Sequence, residues 1–346
     1  MKLQQQGAVI DNYTSTGKKF WCWPEQMDAY RQGSPSTIIS THISPEGMCN
    51  LKCPYCSVAR RTKHGRIPYE VVKKYVESLM PFGLKAVIIT GGGEPLLYPD
   101  MDRLLMWLNV KGLKIGLITN GTVSGCLTAK AWGMLDWVRV SINLFEDWRY
   151  KINLPSEALS KNCVVGCSFV YTGEKQVTFY AVSSLADELG AKYIRLLPNC
   201  LLSRYKLEQM HKKLGRLTTQ LRKEDKRYFH QKKQHRPPKS GVCHLSHFRP
   251  YLSEEAYWKN GKSGSVYPCD SVVLNNAVRK FKKKYQLCYA TDAVKFLTGE
   301  MKPRFDPRKD CRGCVFTNTV EMLDAWKKKG NKINVNKEGL LHKEFV

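Results

Sequence analysis

Between residues 37 and 198 the sequence alternates short runs rich in β-branched residues with stretches whose apolar residues fall at helical spacing. No other feature constrains the fold as strongly. Strands are expected at 37–43, 86–90, 114–119, 137–142, 163–171 and 193–197, and helices at 69–80, 101–110 and 182–189. Strands separated by helices pair in parallel, because a crossover long enough to return the chain to the same end of the sheet is itself a helix. Six such strands make an α/β fold, a partial (β/α)6 TIM-like barrel, with its chemistry in the loops at the C-terminal strand ends.

The rest of the chain organises around that core. Residues 1–36, with Trp21, Trp23 and the break Gly33-Ser34-Pro35-Ser36, read as an irregular N-terminal extension. Residues 201–240 carry 13 Lys or Arg against three acids. Leu207, Met210, Leu214, Leu217 and Leu221 fall on one face, so this connector reads as one long basic amphipathic helix. His211 and His230 within it are expected at its surface. Residues 241–319 are cysteine-bearing and turn-rich, as in a small domain held by metal, and 320–346 read as a basic helix and tail.

The first residues contain no apolar secretory core, and no run approaches the roughly 20 apolar residues that span a bilayer. A cytoplasmic protein without a membrane partner is expected. Thirteen cysteines in such a chain point to metal ligands before disulfides. Lys and Arg total 56 against 30 acids, a formal charge of +26. That excess attracts polyanions, nucleic acid first, although solubility alone would also account for it.

The spacing Cys49-Asn50-Leu51-Lys52-Cys53-Pro54-Tyr55-Cys56 follows the first strand. Three thiolates so placed can hold three corners of an iron–sulfur cubane and leave the fourth iron open to a small chelating molecule. A zinc site completed by His42 or His64 is the alternative. Directly after the second strand comes Thr90-Gly91-Gly92-Gly93-Glu94-Pro95, whose glycines let a ligand lie against backbone and whose Glu94 offers a carboxylate at the strand end.

Together these motifs resemble the radical S-adenosylmethionine (SAM) superfamily over residues 37–200. The resemblance implies that Cys49, Cys53 and Cys56 bind a [4Fe–4S] cluster and that Gly92, Gly93 and Glu94 receive the methionyl amine of SAM. It further implies that Tyr55 contacts adenine and that Ser141 and Asn143 contact the ribose. Such an enzyme, fed an electron by a flavodoxin or ferredoxin, cleaves SAM to a 5′-deoxyadenosyl radical that abstracts a substrate hydrogen. Arg195, near the end of the sixth strand, faces the barrel mouth if the register holds. There it could bind the cofactor's carboxylate or a substrate phosphate, or be solvated.

The later cysteines resemble the twitch subdomain, a shortened relative of SPASM domains. Cys243, Cys269, Cys311 and Cys314 match its ligands for an auxiliary [4Fe–4S] cluster. Cys288 is surplus and could displace one of them, and a structural zinc ribbon is the competing reading. Cys22, Cys126, Cys163, Cys167 and Cys200 are expected as buried thiols without chemistry. No side chain is singled out as a catalytic acid or base. For the substrate, the charge, the basic run Arg279-Lys280-Phe281-Lys282-Lys283-Lys284-Tyr285 and the lysine-rich tail favour nucleic-acid modification. Peptide or small-metabolite chemistry is the alternative; a non-catalytic iron–sulfur scaffold fits the motifs least.

Overall fold

The computed structural model describes residues 9–59, 65–143, 152–254, 264–274, 282–332, 334–335 and 337–346. His64, Arg279, Lys280 and Phe281 lie outside the described residues. The six expected strands form as β1 (Ser40–Ser44), β2 (Ala86–Ile89), β3 (Lys114–Thr119), β4 (Trp137–Ser141), β5 (Val164–Tyr171) and β6 (Ile194–Pro198). Four more follow: β7 (Tyr228–His230), β8 (Tyr251–Ser253), β9 (Ser265–Tyr267) and β10 (Cys288–Tyr289). Together they make one sheet in the order β10-β9-β8-β1-β2-β3-β4-β5-β6-β7. Strands β1 to β7 pair in parallel, and β8 joins β1 in parallel at the opposite edge. Strands β9 and β10 add antiparallel pairs. Both ends of the sheet are open, as in a partial barrel.

The two-residue period of the strands sorts side chains between the barrel interior and the helices outside. Val87, Ile89, Ile115, Leu117, Val138 and Val140 join the core beneath the helices Tyr69–Leu79 and Met101–Val110. Their neighbours Ile88, Ile118, Trp137, Arg139, Ser141, Ser168, Val170, Arg195 and Leu197 turn inward and line a cavity. Cys167 falls on the outward face and is fully buried, which pushes its thiol up to about 12. An inert core residue is the result. Cys163 is half-buried and also raised to about 12, whereas Cys126 and Cys200 are exposed, against expectation. Their loops follow the strands instead of packing beneath them.

Two stretches depart from the sequence reading. The N-terminal extension contains the helix Pro24–Gln32, closed by Gly33 in a left-handed conformation, φ 84°. Met27 and Tyr30 bury their side chains against the C-terminal helix Thr317–Lys329, where Trp326 Nε1 donates to Met27 O at 2.8 Å. A nine-residue helix whose apolar partner lies some 300 positions away carries little local signal.

The basic connector is not one helix. Its helix runs Arg204–Leu221, and Arg222 Nη1 then gathers the carbonyls of Lys226 and Tyr228 at 2.6 and 2.7 Å, turning the chain into β7. A three-residue strand is too short to show alternation. The series therefore does not close at Pro198. His230 lies on that strand, not on the helix, and His211 and His230 are both buried.

Leu214 is fully buried on the helix Arg204–Leu221, although Lys212, Lys213 and Arg216 around it are exposed. Leu214→Ala is expected to lower unfolding stability by about 2–5 kcal/mol. Val110→Ala, at a position 82% exposed, is expected to stay within about 0.5 kcal/mol. Urea unfolding of the two variants checks this.

Candidate active site

The Cys49–Cys56 loop and the glycine loop meet because their backbones interlock. Gly93 N donates to Glu46 O at 2.9 Å and Glu94 N to Met48 O at 2.7 Å. Contact is so close that a Cβ on Gly93 would lie 1.8 Å from Met48 O. One on Gly92 would lie 1.7 Å from Glu254 Oε1. Gly92 N donates to Ser44 Oγ at 2.5 Å, and Ser44 Oγ donates to Glu254 Oε2 at 2.5 Å. Glu254, at the end of β8, and Ser44, the last residue of β1, were invisible in the sequence reading. Only the β1–β8 pairing brings them together.

Glu94 is 2% exposed. Its carboxylate accepts from Thr119 Oγ1 at 2.5 Å, Asn120 N at 2.8 Å and Leu96 N at 3.1 Å. Burial pushes its pKa up and these three donors oppose the shift. Among the described residues Oε2 takes a single donor and retains acceptor capacity for an ammonium. Beside it, Asn120 Nδ2 points to Cys49 Sγ at 4.0 Å and binds Asn50 Oδ1 at 2.9 Å.

Cys49, Cys53, Cys56, Tyr55, Gly92, Gly93, Glu94, Ser141, Asn143 and Arg195 all line one cavity of about 520 Å³. Burial foremost raises the Tyr55 phenol, which also hydrogen-bonds Cys53. Asn143 spends its amide on strand pairing, donating to Val170 O at 2.8 Å and accepting from Val170 N at 3.0 Å. The ribose contact expected of this pair therefore falls more naturally on Ser141. His42 lines the same cavity, with Arg249 Nη1 3.5 Å from its Nε2.

Cys243, Cys269, Cys311 and Cys314 form a second group. Cys269 feels the charges of the other three, and Cys311 those of Cys243 and Cys314. Burial is the main force raising all four thiols. They ionise together only if a bound cation neutralises them. Cys288 lies apart in β10, beside Asp292 and Tyr75. Among the described residues no three His, Cys, Asp or Glu side chains converge as ligands of a single ion would. Cubane corners, each on its own iron, stand further apart. The chemistry of both donor sets thus fits iron–sulfur clusters.

Three histidines add a feature the sequence did not suggest. His211 Nδ1 lies 2.9 Å from His230 Nε2, and His211 Nε2 lies 2.9 Å from His235 Nε2. His230 Nδ1 donates to Leu196 O at 3.0 Å, which orders the protons along the chain and leaves His235 Nδ1 as its acceptor end. Burial, before the neighbouring rings, lowers His211 to about 3.

Comparison with known proteins bears on one stretch of the chain. The family description "Radical SAM superfamily" matches residues 43–148, the stretch holding both motifs. Residues 43–148 are a radical SAM domain. Members of that superfamily use a [4Fe–4S] cluster and SAM. A "Probable GTP 3',8-cyclase" of Methanococcus maripaludis is 34% identical over 118 residues, 33% of this chain and 39% of that protein. An "S-adenosylmethionine-dependent nucleotide dehydratase" of a Thermoplasmatales archaeon is 28% identical over 109 residues, 31% of this chain and 39% of its own length. The chain thus spans about two fifths of these relatives, in the radical SAM domain. The solved structure "Native anSMEcpe with bound AdoMet" superposes with a TM-score of 0.51 at 18% identity, over 88% of this chain and 95% of that one. That likeness shows the fold of the domain and its extension.

His42 is 8% exposed, and burial lowers its pKa to about 3. The unfolded chain titrates this group near 6.5. As pH falls below about 6.5, the unfolded state binds a proton that the folded state refuses, so stability drops until about pH 3. At pH 5 the expected loss from His42 is about 2 kcal/mol. Urea midpoints at pH 7 and 5 measure it, and His42→Gln should flatten the difference.

Proposed function

We propose that this chain is a radical SAM enzyme that removes a hydrogen atom from a nucleotide or nucleic-acid base. The observation that carries the reading is the single cavity on which Cys49, Cys53, Cys56, Gly92, Gly93 and Glu94 converge, with cationic side chains on its remaining walls. Cys49, Cys53 and Cys56 would hold the first [4Fe–4S] cluster. Such a cluster, once reduced, supplies an electron to SAM and so generates a carbon-centred radical able to take hydrogen from an unactivated carbon. The chain's own residues orient that chemistry. Glu94 would receive the methionyl amine, its carboxylate held in place by Thr119 and Asn120. By the family resemblance, Gly92 and Gly93 would also receive the methionyl amine, Ser141 would contact the ribose and Tyr55 would contact adenine.

Cys243, Cys269, Cys311 and Cys314 would hold the auxiliary cluster of a twitch-like segment. Asp270, Val315 and Phe316, which directly follow Cys269 and Cys314, line the same cavity, so the second group faces the substrate space from another wall. A flavodoxin or ferredoxin would supply the electron. The two relatives described above carry names that refer to GTP and to a nucleotide, which supports a nucleotide-like substrate. The helix Arg204–Leu221 adds an outer face with exposed Arg204, Lys206, Lys212, Lys213 and Arg216, suited to a phosphate backbone. Lys233, by contrast, lines the cavity and is no part of that face.

Anaerobically reconstituted protein is expected to hold about eight irons per chain, and the Cys49/Cys53/Cys56→Ala variant about four. Iron and zinc analysis checks this; about four irons plus zinc in the unmutated protein would mark the C-terminal group as a zinc site. For the substrate, affinity for single-stranded nucleic acid should fall with salt at a log–log slope of about 0.7 per phosphate contacted. Reversing Lys206, Lys212, Lys213 and Arg216 should flatten that slope and reduce turnover. Full turnover of a neutral peptide by the reversed variant would instead support a peptide substrate.

A further inference from the structure

The cavity wall is electrostatically lopsided. Among the described residues Lys19, Arg139, Arg195, Lys233 and Arg249 line it against two carboxylates, Glu94 and Asp270. Glu94 belongs to the glycine loop and is committed to Thr119, Asn120 and Leu96. That leaves Asp270, whose Oδ1 is 3.7 Å from Arg249 Nη2, too far for a hydrogen bond, while Arg249 Nη1 donates to Ser15 Oγ at 3.0 Å and to Val346 O at 3.2 Å.

Inward-facing Arg139 on β4 and Arg195 on β6 repel one another, and Arg195 in turn repels Lys233, as does Arg249. Among the described residues the buried Nε of Arg195 and the buried Nη2 of Arg249 have no hydrogen-bond partner. The Lys233 ammonium faces the Phe316 ring at 5.3 Å, without a hydrogen bond to a described residue. Burying several like charges with unfilled donors is strongly unfavourable unless an anion joins them.

We propose that Arg139, Arg195, Lys233 and Arg249 form a receptor for the phosphate of the substrate, inside the barrel and separate from the SAM-binding loops. The inference rests on the nucleotide reading above and narrows it. The position argues against the cofactor's carboxylate. The SAM-binding motifs follow the C-terminal ends of β1 and β2, whereas Arg195 is the second residue of β6, Arg139 the third of β4, and Arg249 precedes β8. The charge argues likewise, because several convergent cations suit a phosphate or polyphosphate better than one carboxylate. A site on the inward faces of the strands suits a free nucleotide, or one nucleotide drawn out of a strand, and not a duplex.

The test titrates reconstituted holoprotein with inorganic tripolyphosphate, guanosine triphosphate, a single-stranded oligonucleotide and SAM by equilibrium dialysis. Unmutated protein is compared with Arg195→Gln, Lys233→Met and the charge-retaining Arg195→Lys. The first two should each weaken tripolyphosphate and guanosine triphosphate about tenfold or more. Arg195→Lys should retain most of the affinity, and iron content with circular dichroism reports whether each variant is folded. In the unmutated protein tripolyphosphate should also raise the melting temperature, a readout independent of the variants. Guanosine triphosphate binding tighter than the oligonucleotide identifies a free nucleotide as the source of the phosphate; the reverse order identifies a strand. Either order upholds the receptor. Tripolyphosphate binding that responds to the variants but gains nothing from the nucleoside would refute the nucleotide reading and leave the phosphate receptor standing. The receptor is overturned if tripolyphosphate fails to bind, if it binds all variants equally, or if the variants weaken SAM and spare tripolyphosphate.

Discussion

The near-contact of two backbones, the Gly91–Gly93 segment against residues 46–48, is the constraint on which the candidate site depends. The glycine side cannot carry a side chain at the crossing, since Cβ atoms added to Gly93 and Gly92 would lie within 2 Å of Met48 O and Glu254. The crossing fixes the cysteine-bearing loop relative to Glu94, and Glu94 fixes Asn120, which reaches back to Cys49 and Asn50. Because Glu254 accepts from Ser44 Oγ, which in turn accepts from Gly92 N, strand β8 of the cysteine-rich segment is part of the same lock. The segment that resembles an auxiliary-cluster domain therefore extends the barrel's own sheet and braces its cofactor loops.

Inside that frame the strands' period of two produces a polar interior within an apolar shell. Outward positions supply Val, Ile and Leu to the helix-covered core, while inward ones supply Arg139, Ser141, Ser168 and Arg195 to the cavity. Desolvation then governs the chemistry available there. It keeps His42 and His211 neutral, lowers Arg195 to about 9 and Lys233 to about 7, and raises the buried thiols. Such a site favours ligands that bring negative charge to its cations and positive charge to its thiols. The exposed basic face of the helix Arg204–Leu221 is a separate feature, since its lysines are solvated and its apolar side is spent on the core.

Much of this was legible in the sequence because its causes are local. The strand at residues 114–119 and the helix at 101–110 appear where their alternation and helical spacing placed them. Cysteine spacing and the glycine run sit in loops straight after their strands, so their meeting at the C-terminal ends follows from parallel topology alone. Arg195 was expected near the end of its strand at the barrel mouth; it lines the cavity, but as the second residue of β6.

What local pattern could not carry was decided by distant partners. Helix Pro24–Gln32 owes its burial to Trp326, β7 to the turn that Arg222 holds, and Glu254 its place to the pairing of β8 with β1. His211 and His230 were expected at the surface of a basic helix, yet β7 folds back and lines them up with His235 at hydrogen-bonding distance. Spacing alone left Cys288 able to replace an auxiliary ligand, but strand pairing turns it into β10, away from the other four cysteines. The sequence by itself determined the barrel's repeat and the ligand-bearing loops, because periodicity and spacing are properties of neighbouring residues. The tertiary structure decided which charges share a cavity, because electrostatic environment depends on residues far apart in the chain and on the water their packing excludes.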